Sequence, residues 1–176
     1  MRKHFILIFT VALVSLMSTA IFAAEQPVTD NSTQATQAKA EKKAQRSEFK
    51  TQVTPLRNER KATREENLAL REQNKSLKAQ LQDKLATLKA SESKLTDDQK
   101  ASLKALKSEV KAFRAEIKAT EGQVKAILDA NKENRKNMDI AAVQAAFNKV
   151  FDIQNLRHQK LQQINDTLNK MLATLN

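Results

Sequence analysis

The chain has 176 residues, with 31 Lys and Arg against 20 Asp and Glu, one Gly, two Pro and no Cys, Trp or Tyr. Disulfides and thiolate chemistry are thereby excluded, and there are too few turn formers for a sheet domain, whereas the abundant Ala, Leu, Lys, Gln and Glu favour long helices. A formal net charge of +11 favours anionic partners at close range.

Residues 1–24 read as a secretory signal. Arg2 and Lys3 form a basic start, Phe5 to about Met17 an apolar run, and Ile21-Phe22-Ala23-Ala24 a small-residue cleavage site. The apolar stretch is also long enough for an uncleaved anchor. Cleavage after Ala23 or Ala24 is the expectation, because no basic stop-transfer cluster follows directly. The mature chain would then act outside the cytoplasm, in the periplasm or the cell envelope, and would lose only two positive charges. No cysteine follows the apolar run, which excludes a lipoprotein anchor.

Residues 25–53 are expected to form a leader, flexible over Glu25 to about Gln37 and partly helical from Ala38 to Val53. Thr54-Pro55 predicts a helix start, with Thr54 capping free amides and Pro55 in the first turn. The seam that follows alternates Leu56, Leu70, Leu77, Leu81 and Leu88 with Arg60, Thr63, Asn67 and Asn74, and such polar seam positions lower stability while fixing register.

After Ser91-Glu92-Ser93-Lys94, the segment Leu95-Thr96-Asp97-Asp98-Gln99 predicts a capping box at the start of a second helix. Its seam, Leu103, Leu106, Val110, Phe113, Ile117, Thr120, Val124 and Ile127, keeps spacings of three and four throughout and predicts one helix to Ala130. The polar run Asn131 to Asn137 reads as a turn, and Asp139 as the cap of a third helix. That helix carries Val143, Phe147, Val150, Leu161, Ile164, Leu168, Met171 and Leu175, interrupted by Gln154 and Arg157 and widened by Ile140 and Phe151.

The expected fold is therefore all-α, with residues 54–176 as an elongated antiparallel three-helix bundle or a coiled-coil-like helical hairpin. The second and third helices form its firm hairpin. In the alternative, a longer first helix pairs with a second copy of the chain, giving a homodimer.

Catalytic chemistry is poorly provided for. Outside the signal, His158 is the one histidine, and a lone histidine makes no triad; its position predicts a seam-edge or surface role. No cluster suits a metal and no glycine-rich loop suits a phosphate, so no cofactor is expected and an enzyme is disfavoured. Basic residues interleaved with acids, as in Arg64-Glu65-Glu66, read as solvated faces. The four phenylalanines Phe49, Phe113, Phe147 and Phe151 read as core rather than as base-stacking platforms, which disfavours nucleic acid. Leu68 and Leu156 fall off their seams and are candidate exposed contact points.

Leu95, Thr96 and Gln99, followed by a basic amphipathic helix, resemble the LTxxQ motif of the Spy and CpxP family of bacterial periplasmic proteins, and the run from Asp139 to Leu172 is similar in texture to the long helix that follows there. The resemblance covers residues 95–175. It implies an ATP-independent chaperone or envelope-stress accessory protein that holds unfolded or envelope proteins on a basic, partly apolar helical surface. Two further readings rest on the residues themselves: a structural coiled coil, and a binder of anionic cell-surface polymers.

Overall fold

The computed structural model describes residues 31–91 and 94–175. The expected signal, its cleavage site and the first residues of the leader lie outside the described residues. The described residues form five helices: α1 (Asn31–Ala90), α2 (Asp97–Ala119), α3 (Gln123–Ala130), α4 (Lys132–Lys136) and α5 (Ile140–Thr174). Two compact units divide the chain, Met1–Ala38 and Lys39–Asn176, and the packing below belongs to the second. The fold is all-α.

Three helices run side by side in that unit, and their polar contacts fix the directions. Asn67 and Asn74 of α1 donate to the carbonyls of Gln154 and Leu161 of α5 at 3.1 and 2.9 Å. One heptad along α1 corresponds to one heptad along α5, so these two helices are parallel. Between α2 and α5 the pairs run oppositely: Gln99 Nε2 donates to the Thr174 carbonyl at 2.9 Å, and Lys160 meets Glu116 at 2.8 Å. Helix α2 is thus antiparallel to both neighbours, as short connections require.

The apolar core falls into two clusters. The larger is built on Leu81, Val110, Ile164, Leu168, Met171 and Leu175, with half-buried leucines of α1 and α2 against it. The smaller joins Val53 to Val143 and Phe147, flanked by Phe49, Leu56 and Phe151. All four phenylalanines therefore pack on or against the core, as expected, including Phe49, which lies outside the seams read from sequence.

Both expected helix starts after the first hold. Thr96 Oγ1 accepts from the Gln99 amide at 3.2 Å while Gln99 Oε1 accepts from the Thr96 amide at 3.0 Å, which closes the capping box. Asp139 caps α5 by accepting from the Ala142 amide at 2.9 Å.

Three boundaries differ from expectation. Pro55 does not start a helix; it lies inside α1, which begins at Asn31, within the run expected to be flexible. Its missing N–H deprives the Thr51 carbonyl of a donor, but Thr51 and Pro55 sit on the exposed side, where water can serve that carbonyl. The seam through Phe49, Val53 and Leu56 is held on both sides of the proline. The second helix does not run unbroken to Ala130: α2 ends at Ala119 with Thr120 as its cap, and Gly122, at φ +78°, precedes α3. The Asn131 to Asn137 turn contains the single-turn helix α4 and closes through Met138 at φ 57°.

Candidate functional site: a basic face between α1 and α2

A polar layer separates the two apolar clusters. Asn67, Asn74, Thr120 and Gln154 are buried in it. Asn67 Nδ2 donates to the Gln154 carbonyl, Gln154 Nε2 reaches the Arg60 carbonyl at 3.4 Å, and His158 Nδ1 lies 3.2 Å from Asn67 Oδ1. Gln162 Nε2 lies 3.0 Å from the other imidazole nitrogen, so both ring nitrogens are served when Nδ1 carries the proton, whereas Gln154 Oε1 has no partner among the described residues. His158 is half-buried at the seam edge, as its position predicts.

Arg157 serves the C-terminus of α2. Its Nε and Nη2 donate to the Thr120 hydroxyl and carbonyl at 2.6 Å each, and cationic donors suit a helix end with free carbonyls. Burial, and then the neighbouring Arg71, hold the Arg157 pKa below its ordinary value, while Glu121 acts the other way. Arginine stays charged at neutral pH regardless. The consequence is a concentration of positive charge where α1, α2 and α5 meet.

That concentration continues along the surface. In α1 the seam passes through Val53, Arg60, Asn67, Asn74 and Leu81 at seven-residue intervals. Three residues before each of them stands a cation: Lys50, Arg57, Arg64, Arg71 and Lys78, with Lys43 one heptad earlier. All six are exposed. Because a seven-residue row keeps a constant angle to a heptad seam, the six form one stripe, about 52 Å long at ~1.5 Å per residue. The adjacent row, Lys61, Leu68, Lys75, Gln82 and Lys89, also contains no acid.

Helix α2 supplies the facing wall. Arg71, Lys75 and Lys78 of α1 face Arg114 of α2, and Glu121 of the turn that follows it, across a cleft of about 410 Å³, floored by Ile117, Leu161 and Ile164. A second cleft of about 310 Å³ shares Lys78 and Arg114 with the first and adds Lys107, over Leu81, Val110, Leu168 and Met171. The two are one groove. Glu121 is the acid that lines it; Glu109 and Glu116 precede seam positions Val110 and Ile117, whereas Lys107 and Arg114 follow Leu106 and Phe113. That offset sorts the charges to opposite flanks of α2.

The residues singled out from sequence are not gathered into this groove. Leu95, Thr96 and Gln99 form the cap described above at the far end of α2. Leu68 is 48% exposed and stands in the row beside the basic stripe. Leu156 is half-buried rather than exposed, because α5 is flanked on both sides and its off-seam positions are partly covered. The basic stripe itself was missed because neighbouring residues were read pairwise; its signal was the seven-residue spacing.

Among the described residues no group of His, Cys, Asp and Glu could hold a metal ion, and no helix is long and apolar enough to cross a membrane. Comparison with models of protein families, with curated proteins and with solved structures finds no match.

Proposed function

We propose that this chain is a non-catalytic binding protein acting outside the cytoplasm, and that it takes anionic partners on the basic face between α1 and α2. The observation that carries this reading is charge segregation: six exposed cations stand at strict heptad spacing on α1, and two of them, Arg71 and Lys78, share a groove with Lys107 and Arg114 of α2. Mixed surface charge contributes little to either binding or stability, whereas one-signed rows raise the local concentration of counter-charged ligands. Export is supported by the signal-like residues 1–24.

A second reading, the ATP-independent chaperone or envelope-stress accessory protein implied by the LTxxQ resemblance, is favoured by exposed Leu68 beside the cations. The partial cover over Leu156 weakens the idea of a two-leucine client patch. One comparison separates the readings. Purified protein should be retained on an immobilised polyanion at low salt and released as the screening length shrinks to about 10 Å near 0.1 M. Arg71→Glu with Arg114→Glu should weaken retention about tenfold or more. If charge reversal leaves retention intact, the basic face is not the ligand surface. If the protein instead suppresses client aggregation, and Leu68→Ser removes that effect while charge reversal does not, the chaperone reading takes its place.

A further inference from the structure

The proposed function leaves open what kind of anionic partner the face meets, and the layout of its charges bears on that choice. Helix α2 repeats the arrangement of α1. Directly after its seam positions Leu103, Leu106, Val110, Phe113 and Ile117 stand Lys104, Lys107, Lys111, Arg114 and Lys118, all exposed. Seven-residue spacing sorts the cations of α2 into two rows: Lys100, Lys107 and Arg114 beside the groove, and Lys104, Lys111 and Lys118 one row further out. On α1 the stripe through Arg71 and Lys78 is the inner row, and Lys61, Leu68, Lys75, Gln82 and Lys89 form the outer one.

Smaller clefts extend the same face. One gathers Lys104 and Lys111 with Lys107 and Arg114, and another joins Lys89 to Lys94 and Lys100 near the α1–α2 connection. Glu121 is the acid among the residues lining all of these clefts. At the edges of the rows Glu65, Glu72 and Asp97 pair with Lys61, Lys75 and Lys100 at 3.8, 3.7 and 2.9 Å, exposed contacts that weaken the local field only a little. Among the described residues Leu68 is the exposed large hydrophobic side chain, and it stands in the outer row of α1 between Lys61 and Lys75.

Resting on the reading of the α1–α2 face as an anion-binding surface, we infer that this face lies against a lipid bilayer bearing anionic headgroups. Two observations favour a bilayer over a soluble polyanion. The first is breadth: a single polymer chain laid along the groove meets the two inner rows, whereas a plane of charge meets the outer rows of both helices as well. The second is Leu68. A soluble polyanion offers it no apolar surroundings, but interfacial binding combines attraction to anionic lipid with burial of apolar side chains below the headgroups. The lysines on either side suit that depth, because their methylene stems reach past the apolar boundary while the ammonium groups stay at the headgroups. A nucleic-acid duplex is broad enough to meet all the rows, yet it leaves Leu68 against phosphate and water, and it is the rival in the test.

Purified protein is mixed at low salt with phosphatidylglycerol vesicles, phosphatidylcholine vesicles, polyphosphate and duplex DNA. The phosphatidylglycerol vesicles should sediment the protein and the phosphatidylcholine vesicles should not. Lys104→Glu with Lys111→Glu, in the outer row of α2, should lower vesicle affinity about tenfold or more. Leu68→Ser should lower it several-fold and leave binding to polyphosphate and DNA as in wild type, with an unchanged melting temperature because the position is exposed. The chain has no tryptophan, so Leu68→Trp supplies a single fluorophore. Its emission should shift to the blue with phosphatidylglycerol vesicles and stay in place with polyphosphate or DNA. Binding to polyphosphate or DNA without binding to vesicles overturns the bilayer assignment and leaves the anionic face standing. Vesicle binding that Leu68→Ser does not weaken, with tryptophan emission unshifted, does the same. Absence of binding to any of the four overturns both.

Discussion

At the scale of single residues, the seam asparagines look alike in sequence and differ in the fold. Both donate to carbonyls of α5, at the same sequence offset of 87. Asn67 also faces the His158 ring through Oδ1, so replacing it strands an imidazole nitrogen as well as removing a donor. Asn74 Oδ1 has no such tie. The Leu161 carbonyl that Asn74 serves lies inside α5, where it already accepts from the helix ladder. Asn74→Leu should therefore raise stability by about 1 kcal/mol, whereas Asn67→Leu should gain nothing or lose a similar amount. Chemical denaturation of the two variants beside wild type checks the difference, and equal midpoints would show that the polar layer is not paired as described.

Among the helices, most of the architecture was legible because each seam repeats faithfully. The stripe of α5 from Val143 to Leu175, the capping box at Thr96 and the cap at Asp139 needed only local chemistry, and all three are in place. The two failures have opposite causes: at Pro55 local propensity predicts a start that packing overrides, and at Gly122 an unbroken seam predicts a continuous helix that the backbone interrupts. Pro55 sits on the outer face of a helix whose inner face is pinned by Val53, which is 1% exposed, so tertiary contact carries α1 across a residue that costs an isolated helix about 3 kcal/mol. Gly122 had the opposite fate, because its seam neighbour Thr120 is held by Arg157 and α2 ends there. The groove was less legible than the bundle. Arg64 beside Glu65 looks like neutral mixed charge, and it joins a one-signed stripe only once the seam fixes which rows face outward together. Restoring the N–H at Pro55 tests the packing argument directly: Pro55→Ala should stabilise the protein by about 1–3 kcal/mol, read as a rise in melting temperature with little change in helical signal. A large gain in helical signal would mean that α1 is not continuous through Pro55.

For the Lys39–Asn176 unit, the division of the core into two clusters has a dynamic consequence. The smaller cluster has three buried apolar residues, Val53, Val143 and Phe147, and the larger has six. Between them the polar layer interposes four buried polar side chains, with Val150 and Leu161 as its buried apolar residues, and apolar burial sets most of the free energy that resists opening. The α1 and α5 segments around the smaller cluster should therefore open as a sub-global unit, at lower free energy than α2 and the C-terminal half of α5. Phe147→Ala removes the largest side chain from that cluster and should cost about 3–5 kcal/mol locally. Hydrogen exchange provides the measurement. In the variant, amides of residues 49–60 and 140–151 should lose protection, while those of residues 103–117 and 161–172 keep nearly wild-type rates. If all four segments lose protection together, the bundle opens as one cooperative unit and the polar layer transmits stability rather than interrupting it. The basic groove rests on the larger cluster through Leu81, Val110 and Leu168, so the first outcome predicts that Phe147→Ala binds polyanions as wild type does.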